Sequence, residues 1–312
     1  MRTNCPACGT NDTNGVCLAI ISPWVRELTG VEERSTLYSL CDGCCTGYVA
    51  LTYSENELSL LYGSYRGSRY QKVRQSWEPS YTMGLNESLD YGQGSLQHRR
   101  EQLTKIVESA VVGFSSNAEV VMDIGGGHGG VIPEWPNLKT KIVMDVSSTS
   151  PAEGIERITS WGELKQKNVN FIMVCGILEH LNNPLEFLIE LVRNVRENNS
   201  TFVSSIPTLL YFEVPAGIPK IRSRKFQLFA LALAKFRHTW RFVSEPRARK
   251  WTKQSPLRIA EHLQFFSKDG LVTLIERANL HVLHFEEYEA THGITDSKGL
   301  KFENALTLVA RL

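Results

Sequence analysis

The stretch Val120-Val-Met-Asp-Ile-Gly-Gly-Gly-His-Gly129 decides the fold. A β-like apolar run passes directly into glycines at 125, 127 and 129, where a tight turn lets a ligand approach the backbone without a Cβ in the way. Dinucleotide-binding folds use a similar loop, so the glycines alone choose no ligand. Asp123, two residues before the first glycine, narrows the choice. An acid facing the loop suits a cationic ligand group better than a pyrophosphate. The next apolar run reaches Asp145, where a carboxylate can accept hydrogen bonds from ribose hydroxyls.

These features resemble the first motif of the class I S-adenosylmethionine (SAM) methyltransferases, apolar-apolar-Asp-x-Gly-x-Gly-x-Gly. The resemblance implies that Asp123, Gly125, Gly126, Gly127, Gly129 and Asp145 hold SAM.

Outward from this loop, short apolar runs alternate with helical stretches. They are Val120–Ile124, Lys141–Val146, Phe171–Val174, Phe202–Ile206, His281–Phe285 and Leu306–Val309. Strands spaced by helices predict an α/β fold with a Rossmann-like, doubly wound sheet. A helix from Leu96 to Phe114, with Leu96, Leu103, Ile106, Val107 and Ala110 as its apolar stripe, leads into it. About seventy residues separate Ile206 from His281, too many for an ordinary crossover, and predict an inserted lid at about 208–258. The expected organisation is a cysteine-bearing module over 1–80, a helical linker over 81–116 and a core over 117–312.

The chain has 312 residues and a formal net charge of +1. From Lys220 to Arg258 there are twelve Lys and Arg against the single acid Glu245, which leaves 22 bases against 32 acids elsewhere. A basic segment on an acidic body points to an anionic partner. Within it, Phe226 to Phe236 is apolar nearly all round, which suits a lid helix over bound substrate, a membrane-surface contact or a dimer contact. No apolar run reaches the ~20 residues of a transmembrane helix, and the start carries no secretory signal; the expectation is a cytoplasmic protein, with the insert as its one means of lying at a membrane's inner face.

Of seven cysteines, four form two Cys-x-x-Cys pairs, Cys5-Pro-Ala-Cys8 and Cys41-Asp-Gly-Cys44. Four thiolates with two-residue spacers match a tetrahedral structural zinc site, and Gly9 and Gly43 offer the tight turns. Cys17 and Cys45 are spare. Zinc ribbons often contact nucleic acid, so an RNA methyltransferase is one alternative; a catalytically silent SAM-binding protein is another. Sparse aromatics and mixed charge in the module argue against RNA. The Tyr62-Gly-Ser-Tyr65-Arg-Gly-Ser-Arg-Tyr70 segment suits a polar small-molecule pocket, with Tyr62 or Tyr65 as the substrate contact.

After Phe171–Val174 comes Cys175-Gly-Ile-Leu-Glu-His-Leu-Asn-Asn-Pro184. Many SAM methyltransferases carry Glu-His-Leu-x-x-Pro at this place, where Cys175 and Gly176 would border the cofactor and His180 the substrate. The Asn/Asp-Pro-Pro-aromatic run of nucleobase N-methyltransferases is missing. Further on stands Ala260-Glu261-His262-Leu-Gln-Phe-Phe-Ser267, with Ser267 capping a helix.

Taken together, the chain resembles the zinc-binding C-methyltransferases of deoxysugar biosynthesis and their relatives in surface-polysaccharide gene sets. The resemblance implies a sugar or glycan acceptor, His262 as general base, Glu261 as a sugar contact and His180 as its assistant. This chain has Ile259 where that family has a tyrosine, and it stops soon after its last predicted strand, where the deoxysugar enzymes continue. O- and C-methylation therefore both stay open, as does the oligomeric state.

Overall fold

The computed structural model describes residues 2–86, 93–164, 167–199, 206–217, 258–296 and 299–312. The chain begins with β1 (Thr13–Ile21), α1 (Pro23–Thr29), β2 (Ser35–Cys41), β3 (Gly47–Val49), α2 (Glu55–Tyr62) and α3 (Ser68–Trp77). Then come α4 (Gln93–Ala110), β4 (Val120–Ile124), β5 (Thr140–Met144), β6 (Ile155–Ile158), β7 (Phe171–Cys175), α5 (Pro184–Asn199) and β8 (Leu209–Pro215). The last elements are β9 (Arg258–Ile259), β10 (Gln264–Phe265), α6 (Lys268–Arg277), β11 (His281–Asp296) and β12 (Gly299–Arg311).

The larger sheet has the order β11-β12-β8-β7-β4-β5-β6. Strands β4 to β8 run parallel, and β12 joins antiparallel between β8 and β11. Its middle strands, β7 above all, are buried almost continuously, as strands covered on both faces must be. Both faces carry apolar clusters. Leu188, Leu191 and Val195 of α5 pack with Leu271 and Leu274 of α6 on one side, and Leu103, Ile106 and Val107 of α4 lie on the other. This is the expected Rossmann-like, doubly wound α/β sheet. Its strand order reverses beside β4, so the carboxyl ends of β4 and β7 open onto the ligand crevice.

Three features depart from the sequence reading. The strand expected at Phe202–Ile206 falls, but for Ile206, outside the described residues, and a strand within the stretch assigned to the insert, Leu209–Pro215, pairs with β7 and β12. The sheet thus takes part of the stretch assigned to the insert, and residues 218–257, the rest of it, lie outside those described. The short edge strand β6 was missed because Ile-Glu-Arg-Ile shows only two apolar positions. The N-terminal region, expected only as a cysteine-bearing module, contains a second sheet of order β10-β3-β2-β1-β9.

That second sheet draws on both ends of the chain. Ile20 and Ile21 pair in parallel with Arg258 and Ile259, and Tyr48 pairs with Gln264. Trp24, Tyr38 and Tyr70 form its core with Ile259 and Leu263. Capping supports the helices around it. Ser54 and Glu57 make a reciprocal capping box at α2, and the Ser267 hydroxyl accepts the Gly270 N–H at 2.8 Å, as the sequence predicts. Among the described residues, no helix is long and apolar enough to cross a membrane.

Candidate active site and cysteine cluster

The loop after β4 closes on itself through Asp145. Its Oδ2 accepts the Gly127 N–H at 2.8 Å and its Oδ1 accepts the Ser147 N–H at 2.6 Å. Each oxygen keeps a lone pair for a further donor. Gly125, Gly127 and Gly129 all have positive φ, at 69°, 56° and 81°. Their neighbours differ. A Cβ on Gly125 would lie 2.2 Å from Cδ1 of Ile177, and one on Gly126 would lie 2.2 Å from Oδ2 of Asp123. Gly125 thus seats the loop after β7, and Gly126 leaves room for the acid.

Asp123 is 2% exposed, and its Oδ1 has no hydrogen-bond partner. Burial pushes its carboxyl up to about 7, against the pull of the nearby Arg99. A buried carboxylate oxygen at the mouth of a glycine loop, still wanting a donor, fits an ammonium group. Gly176, with φ of 67°, ends β7 and donates its N–H to the Glu213 carbonyl at 2.8 Å. Cys175 beside it is pushed upward by burial and by the acid Glu213.

Two further segments complete the crevice. In the 3-10 turn Leu178–His180, Glu179 is 2% exposed and its Oε2 has no partner. Among the described residues, Asp123 and Glu179 supply the only buried carboxylate oxygens left unpaired. Burial pushes Glu179 up to about 8. His180 Nε2 lies 3.8 Å from Glu179 Oε1, and His180 Nδ1 lies 3.0 Å from the Tyr62 hydroxyl and 3.3 Å from the Glu261 carbonyl. Burial, then the neighbouring His262, takes His180 down to about 3, so its ring is neutral at ordinary pH.

Segment 260–265 is stitched to this turn. The Leu263 N–H donates to the Glu179 carbonyl at 2.7 Å, and the Gln264 amide donates to the carbonyls of Leu178 at 2.5 Å and Leu181 at 2.7 Å. These bonds set the His262 ring edge-on to His180, with centroids 4.7 Å apart and planes at 75°. Glu261 points the other way. Its carboxylate accepts from Tyr65 at 3.3 Å and from Tyr70, and Arg74 Nη1 lies 3.9 Å from it. Burial would raise this carboxyl, but Arg74, His180 and Tyr70 together hold it below its usual value.

Tyr62, Tyr65, His180, Glu261 and His262, five residues singled out in the sequence, thus form one cluster. Glu179, Tyr70 and Arg74 belong to it as well. Tyr70 closes the quoted tyrosine segment and Arg74 follows one helical turn later, donating to the Tyr70 hydroxyl at 2.7 Å. No motif points to the Glu213 cluster, in which Arg99 donates at 2.8 Å and Tyr211 and Tyr288 at 3.1 Å each. Its members come from three elements far apart in the chain.

The sulfurs of Cys5, Cys8, Cys41 and Cys44 all lie within 4.8 Å of one another. The pairs Cys5–Cys44 and Cys8–Cys41 are 3.6 and 3.4 Å apart, close to the ~3.8 Å edge of a tetrahedron with 2.3 Å metal–sulfur bonds. In the first knuckle Gly9 takes the left-handed conformation, φ 83°. In the second it is not Gly43 but Cys45, at φ 56°. Cys45, the residue after the second cysteine as Gly9 is after the first, is exposed and is no buried spare. Helix α6 grips both knuckles: the Ser267 hydroxyl donates to the Cys44 carbonyl and Arg277 to the Ala7 carbonyl.

A protein-family model described as a methyltransferase domain matches residues 96–285. Solved structures with similar folds include a methyltransferase from Bacillus halodurans C-125, at 12% identity and TM-score 0.40, covering 68% of this chain and 98% of that one. The N-methyltransferase NodS from Bradyrhizobium japonicum WM9 has 13% identity and TM-score 0.35, covering 70% of this chain and 96% of its own. A SAM-dependent methyltransferase from Aquifex aeolicus has 15% identity and TM-score 0.36, covering 77% and 96%. No curated protein matches the chain. With a family match over most of its length, a doubly wound sheet and an acid beneath a glycine loop, the chain belongs to the methyltransferase-domain family and is a SAM-dependent methyltransferase.

Proposed function

We propose that the chain methylates a sugar or glycan acceptor, with His262 as the group that removes the acceptor's proton. The observation that carries this reading is the convergence of Tyr62, His180 and His262, from three distant segments, beside the carboxyl end of β7. Hydroxyls and imidazoles on one wall suit a polyhydroxylated ligand better than a flat base, which would call for stacking partners and an amide-reading edge.

The cofactor loop fits SAM. Asp123 would take the ammonium, and Asp145, with a lone pair left on each oxygen, the ribose hydroxyls. Bound SAM supplies an activated methyl group, so the protein has mainly to align the acceptor with it. His262 draws the proton from the acceptor hydroxyl, or from the carbon next to a keto group, as the nucleophile attacks. Such a positioned base contributes about 10² to 10⁴ in rate. His180, held neutral, does not compete for that proton and lines the pocket with Tyr62. Glu261 positions: with its oxygens taken by Tyr65 and Tyr70, it fixes the tyrosine segment against the histidine pair.

The four cysteines hold a structural zinc ion, since four thiolates fill its coordination and leave no open position. The basic composition of 220–258 supports an anionic acceptor, such as a phosphorylated glycan or a nucleotide sugar, and allows a membrane-surface contact.

The test is methyl-labelled SAM offered with nucleotide sugars, a glycan fraction and total RNA. Label in a sugar or glycan fraction, lost in His262→Ala with SAM binding retained, is the expected result. Label in RNA alone overturns the acceptor assignment, and turnover surviving in His262→Ala overturns the base.

A further inference from the structure

Glu179, His180 and His262 can each aim one ligand atom at a common point, the three atoms lying within 4.8 Å of one another. We propose that these residues form a second metal site, distinct from the cysteine cluster, that binds a divalent cation and through it two neighbouring oxygens of the acceptor.

Three observations support the site. The first is the donor set. Two imidazoles and one carboxylate are a recurrent three-ligand arrangement for catalytic divalent cations, and they leave positions open for substrate or water. The four thiolates of the N-terminal cluster leave none. The second is the unsatisfied carboxylate. Glu179 is 2% exposed, yet its Oε2 has no hydrogen-bond partner. A buried carboxylate without donors is costly unless a cation meets it. Its Oε1 lies 3.8 Å from His180 Nε2, close but too far for a hydrogen bond, a spacing that two ligands of one ion share comfortably.

The third is the orientation of His180. Its Nδ1 faces the Glu261 carbonyl at 3.3 Å and the Tyr62 hydroxyl at 3.0 Å. A carbonyl can only accept, so an Nδ1–H directed at it leaves the lone pair on Nε2, the nitrogen that faces Glu179. A ligating histidine typically has its other ring nitrogen tied to a carbonyl or carboxylate in this way. The carbonyl belongs to Glu261, next to His262, so the segment that brings the second imidazole also orients the first. Hydrogen bonds from Leu263 to Glu179 and from Gln264 to Leu178 keep all three ligands on one frame.

The consequence for chemistry rests on the sugar or glycan reading given above. A cation held by three protein groups has room for a chelating pair of oxygens, so the favoured acceptor carries a vicinal diol or a hydroxyl beside a carbonyl. Coordination lowers the hydroxyl's pKa, and its proton passes to water. The oxygen's electron pair then forms the bond to the methyl carbon while the carbon–sulfur bond of the donor breaks. In the cation-loaded state His262 is a ligand, and the base role assigned to it belongs to the metal-free chain.

The probe is Mn²⁺, a hard cation that competes poorly for the thiolates, added to zinc-loaded protein without acceptor. Bound Mn²⁺ is read by the loss of the free-ion electron paramagnetic resonance signal. One Mn²⁺ per chain is expected, weakened about tenfold or more in Glu179→Gln and in His262→Asn, each shown to be folded by its SAM affinity. No bound Mn²⁺, or binding unchanged in both variants, overturns the site. Because this readout uses no acceptor, its failure leaves the labelling result standing. Equally, label appearing only in RNA would remove the acceptor argument without touching the Mn²⁺ titration. A second measurement is methyl transfer after chelation: activity reduced by EDTA to the level His262 supports as a base, and raised again by Mn²⁺, supports the Lewis-acid role, and full activity in EDTA refutes it.

Discussion

The hydroxyl of Tyr62 lies 3.0 Å from Nδ1 of His180 and ties the last residue of α2 to the turn that follows β7. One hydrogen bond thus joins the N-terminal sheet's helices to the methyltransferase core at the candidate site. Tyr62→Phe keeps the ring, whose centroid lies 5.7 Å from the imidazole, and removes only the bond. The expected result is a fall in kcat of about fivefold, in line with the ~1 kcal/mol of such a bond, with SAM affinity unchanged. Steady-state kinetics beside SAM titration check it; a kcat like that of the parent would mean the bond does not orient His180.

SAM affinity should depend on pH through Asp123. Burial holds this carboxyl at about 7 in the ligand-free protein, and pairing with an ammonium requires the charged form. Below pH 7 a proton must leave on binding, so affinity falls as pH falls, approaching tenfold per unit. Above pH 7 it levels off. Calorimetric titrations from pH 5.5 to 8.5 read this directly, and a flat profile would exclude Asp123 as the partner.

The same groups set a trend in stability without ligand. Asp123 and Glu179 have folded values of about 7 and 8, above their unfolded ones, so between roughly pH 4 and 8 the native state binds more protons. Their contribution is fully present in acid and is lost as pH rises. His180, at about 3, acts oppositely and favours the native state above its unfolded value near 6.5. Asp123→Asn and Glu179→Gln should therefore stabilise the ligand-free protein more at pH 8.5 than at pH 6. Denaturant melts at the two pH values decide it, and equal effects at both would contradict the assigned shifts.

Two adjacent glycines should respond differently to the same substitution. In Gly126→Ala the methyl group meets the Asp123 carboxylate at 2.2 Å and displaces it. In Gly127→Ala the nearest atom is Cγ2 of Thr149 at 3.9 Å, so the cost is the left-handed backbone alone, about 1–2 kcal/mol. Gly126→Ala should lose SAM binding by more than tenfold, whereas Gly127→Ala should lose mainly stability. Matching losses of SAM affinity would show that the loop moves as a unit.

Zinc analysis provides the fifth check. One zinc per chain is expected, lost in Cys41→Ser. Since α6 is bonded to the carbonyls of Cys44 and Ala7, loss of the metal should loosen α6 too, lowering Tm by roughly 6–12 °C for about 3 kcal/mol. Native elemental analysis without zinc would end the assignment.

Local chemistry made much of this legible from sequence. Asp123, the glycines and Asp145 are neighbours in the chain or end adjacent strands, so a pattern of a few residues specifies them. The Cys-x-x-Cys pairs are local in the same sense. What escaped depended on distant partners. Glu179 stood in plain view in the Glu-His-Leu motif, but burial without a hydrogen bond is a property of packing. Cys45 could not be singled out as the left-handed residue because Gly43, two positions earlier, is the better conformational candidate by composition. Leu209–Pro215 lies inside the stretch read as an insert, and only its pairing with β7 and β12 marks it as part of the sheet. The second sheet was invisible because β9 and β10 are two residues each and find their partners at the other end of the chain.

That last arrangement bears on how the protein is made. Arg2 donates to Gln264, 262 positions away, at 2.7 Å, and β1 waits for β9 across a similar distance. On the ribosome the first strands emerge long before the residues that complete their sheet exist. The N-terminal sheet must therefore remain unfinished, with β1 and β3 each lacking a neighbour, through most of translation. Contacts of such long sequence separation also make folding slow. The cysteine knuckles and the β1–β2–β3 pairing all lie before Ala50 and need no late partner, so zinc supplied early in synthesis would brace the part of that sheet able to form on time.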